Sequence, residues 1–318
     1  PTGWYPTQVL AHDGKLSITS AKGLGAGPNN GPGHPNPTDP RDTAENQYSG
    51  SMIKGLLSTV SEPDAATLAK LTATVEKNNT ANDPARSSAV PNQIGTTSSK
   101  IKHVIYIVRE NRTFDQELGS NGRGNADPSL NLFGDESAPN TRALARQFTT
   151  FDNFYADAKV SANGWNWVSQ ANSNPWSEEM WPSNYSGRGA PYPAESNDPD
   201  SRAKEHDSYF WEHLSKNNIS FRNYGFYTTL DKKGKAHGVD KKILDPNTDH
   251  DFIGWSLDCP DSARSFAPMA KNCGPKSRVD EWKSDFNKQL AKGSVPTVQL
   301  VRFGNDHTQA TKVGVPTP

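Results

Sequence analysis

Three polar clusters in this chain stand at the ends of apolar runs, and their residue types could do chemistry together. Glu110-Asn111 follows Ile101–Val108, and Asn305-Asp306-His307 follows Val295–Phe303. Ser161 opens a stretch, Val160–Val168, that reads as a helix. A carboxylate beside an amide oxygen is a hard-oxygen start to a divalent metal site, so Glu110 and Asn111 are candidate metal ligands. Ser161 would sit where unpaired N–H groups and the helix dipole stabilise an anion. If a metal also held its oxygen, Ser161 would be both a metal ligand and an alkoxide nucleophile. His307 could then orient a phosphate oxygen or protonate a leaving group.

Each cluster also has a plainer reading. Glu110 can pair with Arg109 or Arg112 at the surface, and Asn111 can cap a turn. Ser161 can be a simple N-cap, and Asp306-His307 a solvated loop. His103, between apolar neighbours, reads as a structural histidine. His206, His213, His237 and His250 show no partner pattern.

The elements that must position these residues follow from periodicity. Ile101–Val108 is a β-branched run, as expected of a buried parallel strand. Strands are also predicted at Phe148–Tyr155, Ile219–Phe226 and Val295–Phe303, and helices at 141–147, from Val160, at Asp207–Asn217 and at Val279–Leu290. Strands alternating with helices imply a parallel sheet with crossover helices, where ligands bind beyond the carboxyl ends of the strands. The Trp- and Asn-rich segment Trp165–Tyr192 reads as a long loop, either a site rim or tryptophan rings packed beneath it. Upstream, residues 5–22 read as a hairpin turning at Asp13-Gly14, which needs a neighbouring sheet for stability. Gly23–Arg41 and Thr80–Ser99 read as linker. Asp64–Asn78 reads as a helix with Asp64 as N-cap and Leu68, Leu71 and Val75 on one face.

Composition narrows the function classes. The chain has 318 residues, with 34 Lys+Arg against 35 Asp+Glu, so it carries no overall charge suited to nucleic acid or an anionic membrane. No apolar run approaches the roughly 18–20 residues of a membrane span. Eight Trp, nine Tyr and twelve Phe supply core material that argues against wholesale disorder. The two cysteines, Cys259 and Cys273, favour one local disulfide in an oxidising compartment, the alternative being two free thiols. The first residues do not read as a signal peptide.

The stretch IKHVIYIVRENRTFDQELG resembles the opening of the bacterial phosphoesterase family that contains acid phosphatases and non-haemolytic phospholipases C, within the alkaline phosphatase superfamily. The resemblance continues in order through RGNADPSLNLFG, FTTFDNFYADAKVSANGWNW, WPSNYSGR and VRFGNDHTQATKVGVPTP. The earlier GWYPTQVLAHDGKLSITSAKGLGAGPN resembles the last blade of a β-propeller. These resemblances imply a hairpin over 1–26, a linker with one helix over 27–99, and over 100–318 the N-terminal portion of an α/β/α alkaline-phosphatase-like sandwich. They imply that Glu110 and Asn111 are metal ligands, that Ser161 is nucleophile and ligand, and that His307 contacts phosphate.

The expected activity is metal-dependent hydrolysis of a phosphate ester, with a small phosphate ester or phospholipid headgroup as ligand and a periplasmic, secreted or cell-surface location. The family's later paired aspartates have no counterpart in this sequence. The expectation is therefore a truncated chain that holds its divalent metal weakly or not at all, with the missing C-terminal part of the same precursor as partner. The alternative is a secreted or surface binding protein that keeps the scaffold without catalysis.

Overall fold

The computed structural model describes residues 2, 3, 6–21, 23, 55–78, 98, 100–152, 154, 156–185, 187–195, 209–262, 273–307, 313 and 315. The chain divides into two units, one of residues 1–98 with 182–189 and the other of residues 99–181 with 190–318. The linkers expected at Gly23–Arg41 and Thr80–Ser99 lie, but for residues 23 and 98, outside the described residues.

In the first unit, β1 (Pro6–His12) and β2 (Lys15–Ser20) pair antiparallel across Asp13-Gly14. Both turn residues take positive φ, 47° and 67°. That is what a two-residue hairpin turn matching the strand twist requires. β3 (Leu56–Ser61) pairs with the other edge of β2 and supplies the neighbour a lone hairpin lacks. In α1 (Ala65–Asn78) the Asp64 carboxylate accepts the Thr67 N–H at 2.7 Å, an N-cap, while Leu68, Leu71 and Val75 remain exposed.

The second unit is mixed α/β. Its parallel sheet has the order β4 (Val104–Arg109), β8 (Val298–Phe303), β5 (Phe221–Tyr224). Its helices are α2 (Phe114–Leu118), α3 (Pro139–Gln147), α4 (Ser161–Gln170), α6 (Phe210–Lys216), α7 (Arg278–Ala291) and, as far as residue 181, α5 (Pro175–Tyr185), making seven helices with α1 among the described residues of the chain. β6 (Thr228–Leu230) and β7 (Ala236–Gly238) form a short antiparallel hairpin. The central β8 is buried along nearly its whole length. α7 docks on it: Ser277 caps the helix by accepting the Asp280 N–H, and Trp282 Nε1 donates to Gln299 Oε1 at 2.8 Å. Tyr209, Trp211 and Tyr227 form an aromatic core, with Trp211 stacked on Tyr209 at 4.5 Å between ring centroids.

Three sequence expectations are corrected. β4 is parallel but not buried: Val104, Ile105 and Ile107 are 47%, 43% and 50% exposed, because β4 is an edge strand paired only with β8. No strand forms among the described residues of Phe148–Tyr155; Phe148, Phe151 and Phe154 point into solvent without a ladder partner. Half of the Trp165–Tyr192 loop is helix instead, α4 and α5, tied by the buried Asn166 amide donating to Ser177 Oγ (2.9 Å) and the Pro193 carbonyl (3.1 Å).

Cys259 and Cys273 are bonded, with Cα atoms 5.3 Å apart. The segment that leads into Cys259, residues 253–261, is anchored by the buried Arg278. Its guanidinium donates to the carbonyls of Ile253 (2.8 Å), Gly254 (2.9 Å) and Cys259 (2.7 Å) and to the Asp261 carboxylate (2.8 Å). Arg278→Ala should lower stability by about 3–5 kcal/mol, since it leaves buried carbonyls and a carboxylate without donors. Urea unfolding checks this, and a loss below about 1 kcal/mol would show that the loop holds without its anchor.

Candidate functional site

The register of the parallel pair sets the site. Arg109 of β4 lies opposite Phe303 of β8, and Glu110 N–H donates to the Phe303 carbonyl at 3.3 Å. Glu110 and the turn Asn305–His307 therefore emerge side by side at the carboxyl ends of neighbouring strands, where open α/β sheets bind ligands.

Glu110 is buried, and its carboxylate is fully engaged. Arg302 on β8 donates to Oε1 from Nε at 2.8 Å and from Nη2 at 2.6 Å, and Trp165 Nε1 donates to both oxygens at 3.2 Å. The Arg302 guanidinium lies between two indoles, 4.1 Å from the Trp165 ring centroid and 4.4 Å from that of Trp255. Its Nη1 donates to Glu195. Burial, outweighing the Arg302 charge, pushes the Glu195 carboxyl above the usual range, and the neighbouring Glu110 adds to this.

Ser161 is the first residue of α4, half-buried, with Val160 as the N-cap residue. Its plainer reading as an N-cap is therefore corrected. Asn163 Oδ1 accepts the Val160 N–H at 3.3 Å instead. Trp165, which reaches Glu110, follows Ser161 by four residues, about 6 Å along the helix axis and on the same face. The segment carrying Ser161 is thus joined to Glu110 through Trp165. Asn111 is exposed in the turn after Glu110.

His307 meets the Trp255 ring edge-on at 5.1 Å, on the indole whose ring also faces Arg302. Asp306 is buried and pairs with Arg109 Nη2 at 2.5 Å, while Arg109 also reaches Glu117. The solvated-loop reading of Asp306 and the pairing of Glu110 with Arg109 or Arg112 are both corrected. Asn305 is structural: its N–H donates to Asp261 Oδ2 at 2.8 Å and its amide to the Cys259 carbonyl at 3.0 Å. His103 is structural too, its Nδ1 lying 2.9 Å from the Pro296 carbonyl. His206 lies outside the described residues.

The donor set around Glu110 does not fit a tightly held divalent ion in this arrangement. Both Glu110 oxygens accept from Arg302 and Trp165, and a guanidinium at 2.6 Å opposes a second cation. Among the described residues, no group of three His, Cys, Asp or Glu ligand atoms gathers there. Sequence reasoning offered Trp165 only as part of a rim segment and missed Arg302, Glu195 and Trp255 as parts of the site. The one available signal was an arginine set inside the apolar run VQLVRF.

No family model, curated protein or solved structure matches this chain.

The raised Glu195 carboxyl sets a pH dependence. A folded-state pKa above the unfolded value contributes stability that is present below the ordinary Glu pKa of about 4.3 and lost as pH rises through the folded value. Wild type should lose stability from about pH 4 upward relative to Glu195→Gln. Denaturation midpoints across that range check it; parallel curves for the two proteins would contradict it.

Proposed function

We propose that this chain is a phosphate-ester hydrolase with Ser161 as nucleophile, built on an alkaline-phosphatase-like sandwich and working in an oxidising compartment. One observation carries the reading. The helix that begins with Ser161 reaches, one turn later through Trp165, the Glu110 carboxylate at the carboxyl end of β4, beside the His307 turn that ends β8. The order of sequence motifs supports it, and the Cys259–Cys273 bond supports the compartment.

In this reading the free N–H groups at the start of α4 receive the phosphoryl oxygens. Ser161 Oγ attacks phosphorus in line, forming an O–P bond as the ester O–P bond breaks, and the hydroxyl proton passes to solvent. His307 protonates the leaving alkoxide. Water then attacks phosphorus, the serine O–P bond breaks, and inorganic phosphate leaves. Arg302, held by Glu110 and Glu195, positions α4 through Trp165. Metal dependence belongs to the same reading, with Glu110, Asn111 and Ser161 as the chain's oxygen donors, but the present partners of Glu110 do not accommodate it and no step is routed through a metal.

A second reading, phosphate-ester binding without turnover, is favoured by that same saturation of Glu110. Turnover of p-nitrophenyl phosphate, with and without added divalent metal, separates the two. The hydrolase reading predicts turnover that falls by at least about 100-fold in Ser161→Ala and, with a smaller loss, in His307→Ala. Turnover unchanged in Ser161→Ala removes the nucleophile, and binding of phosphate without turnover selects the second reading.

A further inference from the structure

His237 and His250 play no part in the site above, yet the fold brings them together. Their ring centroids lie 4.7 Å apart. His237 sits on β7, and the chain at His250 runs beside the same strand, with Ala236 N–H donating to the His250 carbonyl at 2.9 Å. Asp245 opens the short turn Asp245–Asn247 and is fixed there, its Oδ1 accepting the Gly238 N–H at 2.7 Å. One ligand atom from each of His237, Asp245 and His250 lies within 4.8 Å of the others.

The second nitrogen of each imidazole decides what this cluster can do. His250 Nδ1 lies 2.6 Å from the Ala236 carbonyl, which can only accept, so Nδ1 carries a proton and, in the neutral ring, Nε2 is the nitrogen with a lone pair to offer a metal. His237 Nε2 faces the Asp231 carboxylate at 3.6 Å, and its Nδ1 faces Asp245 Oδ1 at 3.4 Å. The 3.4 Å gap is longer than an ordinary N–H···O bond. It is close to the edge, about 3.3 Å, of a tetrahedron with metal bonds of about 2.0–2.1 Å. Asp231 is itself fixed, its Oδ1 accepting the N–H groups of Lys233 and Lys235 at 2.8 and 2.9 Å. A carboxylate behind a histidine's far nitrogen is the arrangement that orients imidazole metal ligands.

We infer that His237, Asp245 and His250 form a binding site for a borderline divalent cation of the zinc class, with Asp231 and the Ala236 carbonyl orienting the two imidazoles. Two neutral nitrogens and one carboxylate suit zinc, nickel or copper rather than magnesium or calcium, which take oxygen sets. His237 Nδ1 and Asp245 Oδ1 already stand at about that tetrahedral-edge spacing, and a three-ligand site leaves a fourth position for water. It is independent of the hydrolase reading.

The test is zinc binding to the full chain by isothermal titration, with cobalt(II) absorption as a second readout of tetrahedral coordination. The expected result is a site lost in His237→Ala and in His250→Ala, weakened roughly 10- to 100-fold in Asp231→Asn, and retained in Glu110→Gln. Circular dichroism of each variant establishes that it is folded, and Asp231→Asn, which removes no ligand, serves if a histidine variant is not. No zinc bound by wild type, or binding unchanged in the histidine variants, overturns the inference. Binding lost in Glu110→Gln but kept in the histidine variants also overturns it, since it puts the ion at the other site.

Discussion

Arg302 places a guanidinium in the interior at the end of β8, and the arrangement of the second unit's polar end depends on how that charge is accommodated. A buried cation is costly unless its donors are used and its charge is met. Here Glu110 and Glu195 take the donors, and Trp165 and Trp255 cover the two faces. Four separate pieces of chain are thereby held to one side chain: the turn after β4, the body of α4, the segment bearing Glu195 and the loop bearing Trp255. One guanidinium against two carboxylates leaves the group net negative, and burial resolves part of that by raising the Glu195 carboxyl.

A second buried arginine works alongside the first. Arg278 gathers the carbonyls of the 253–259 loop and the Asp261 carboxylate, and Asp261 in turn accepts from the Gly304 and Asn305 N–H groups. The disulfide ties Cys259, at the end of that loop, to Cys273, four residues before the Ser277 cap of α7. The turn carrying His307 is therefore set by contacts reaching back to α7, while the indole beside His307 belongs to the loop that Arg278 holds. Positioning at this end of the sheet rests on two buried arginines, Arg278 bonded mainly to backbone carbonyls and Arg302 to carboxylates between two indoles.

Much of the local structure was legible in the sequence. The Asp13-Gly14 hairpin, the Asp64-capped α1, α3, α7 and the parallel strands at Ile105 and Leu300 all follow from period and turn chemistry, which are local signals. Ser161 at a helix start and Glu110 beside the His307 turn were legible for the same reason. What failed depended on partners. Among the described residues, Phe148–Tyr155 has strand composition but finds no ladder, and β4 has the β-branched residues of a buried strand but only β8 as a neighbour. Arg302 carries no local signal of its role, which comes from Glu110, Glu195 and two indoles converging on it from other parts of the chain. His237 and His250 are brought together by a three-residue hairpin whose short strands leave almost no periodic trace.

The proposed hydrolase requires that the start of α4, the end of β4 and the end of β8 form one site in which Ser161 takes up phosphate. Acid quenching of the full chain during turnover of a radiolabelled phosphate ester, followed by peptide mapping, tests it most directly. The account predicts covalent phosphate on Ser161, absent from Ser161→Ala. Label on another residue, or turnover with no phosphoenzyme and no dependence on Ser161, would contradict it.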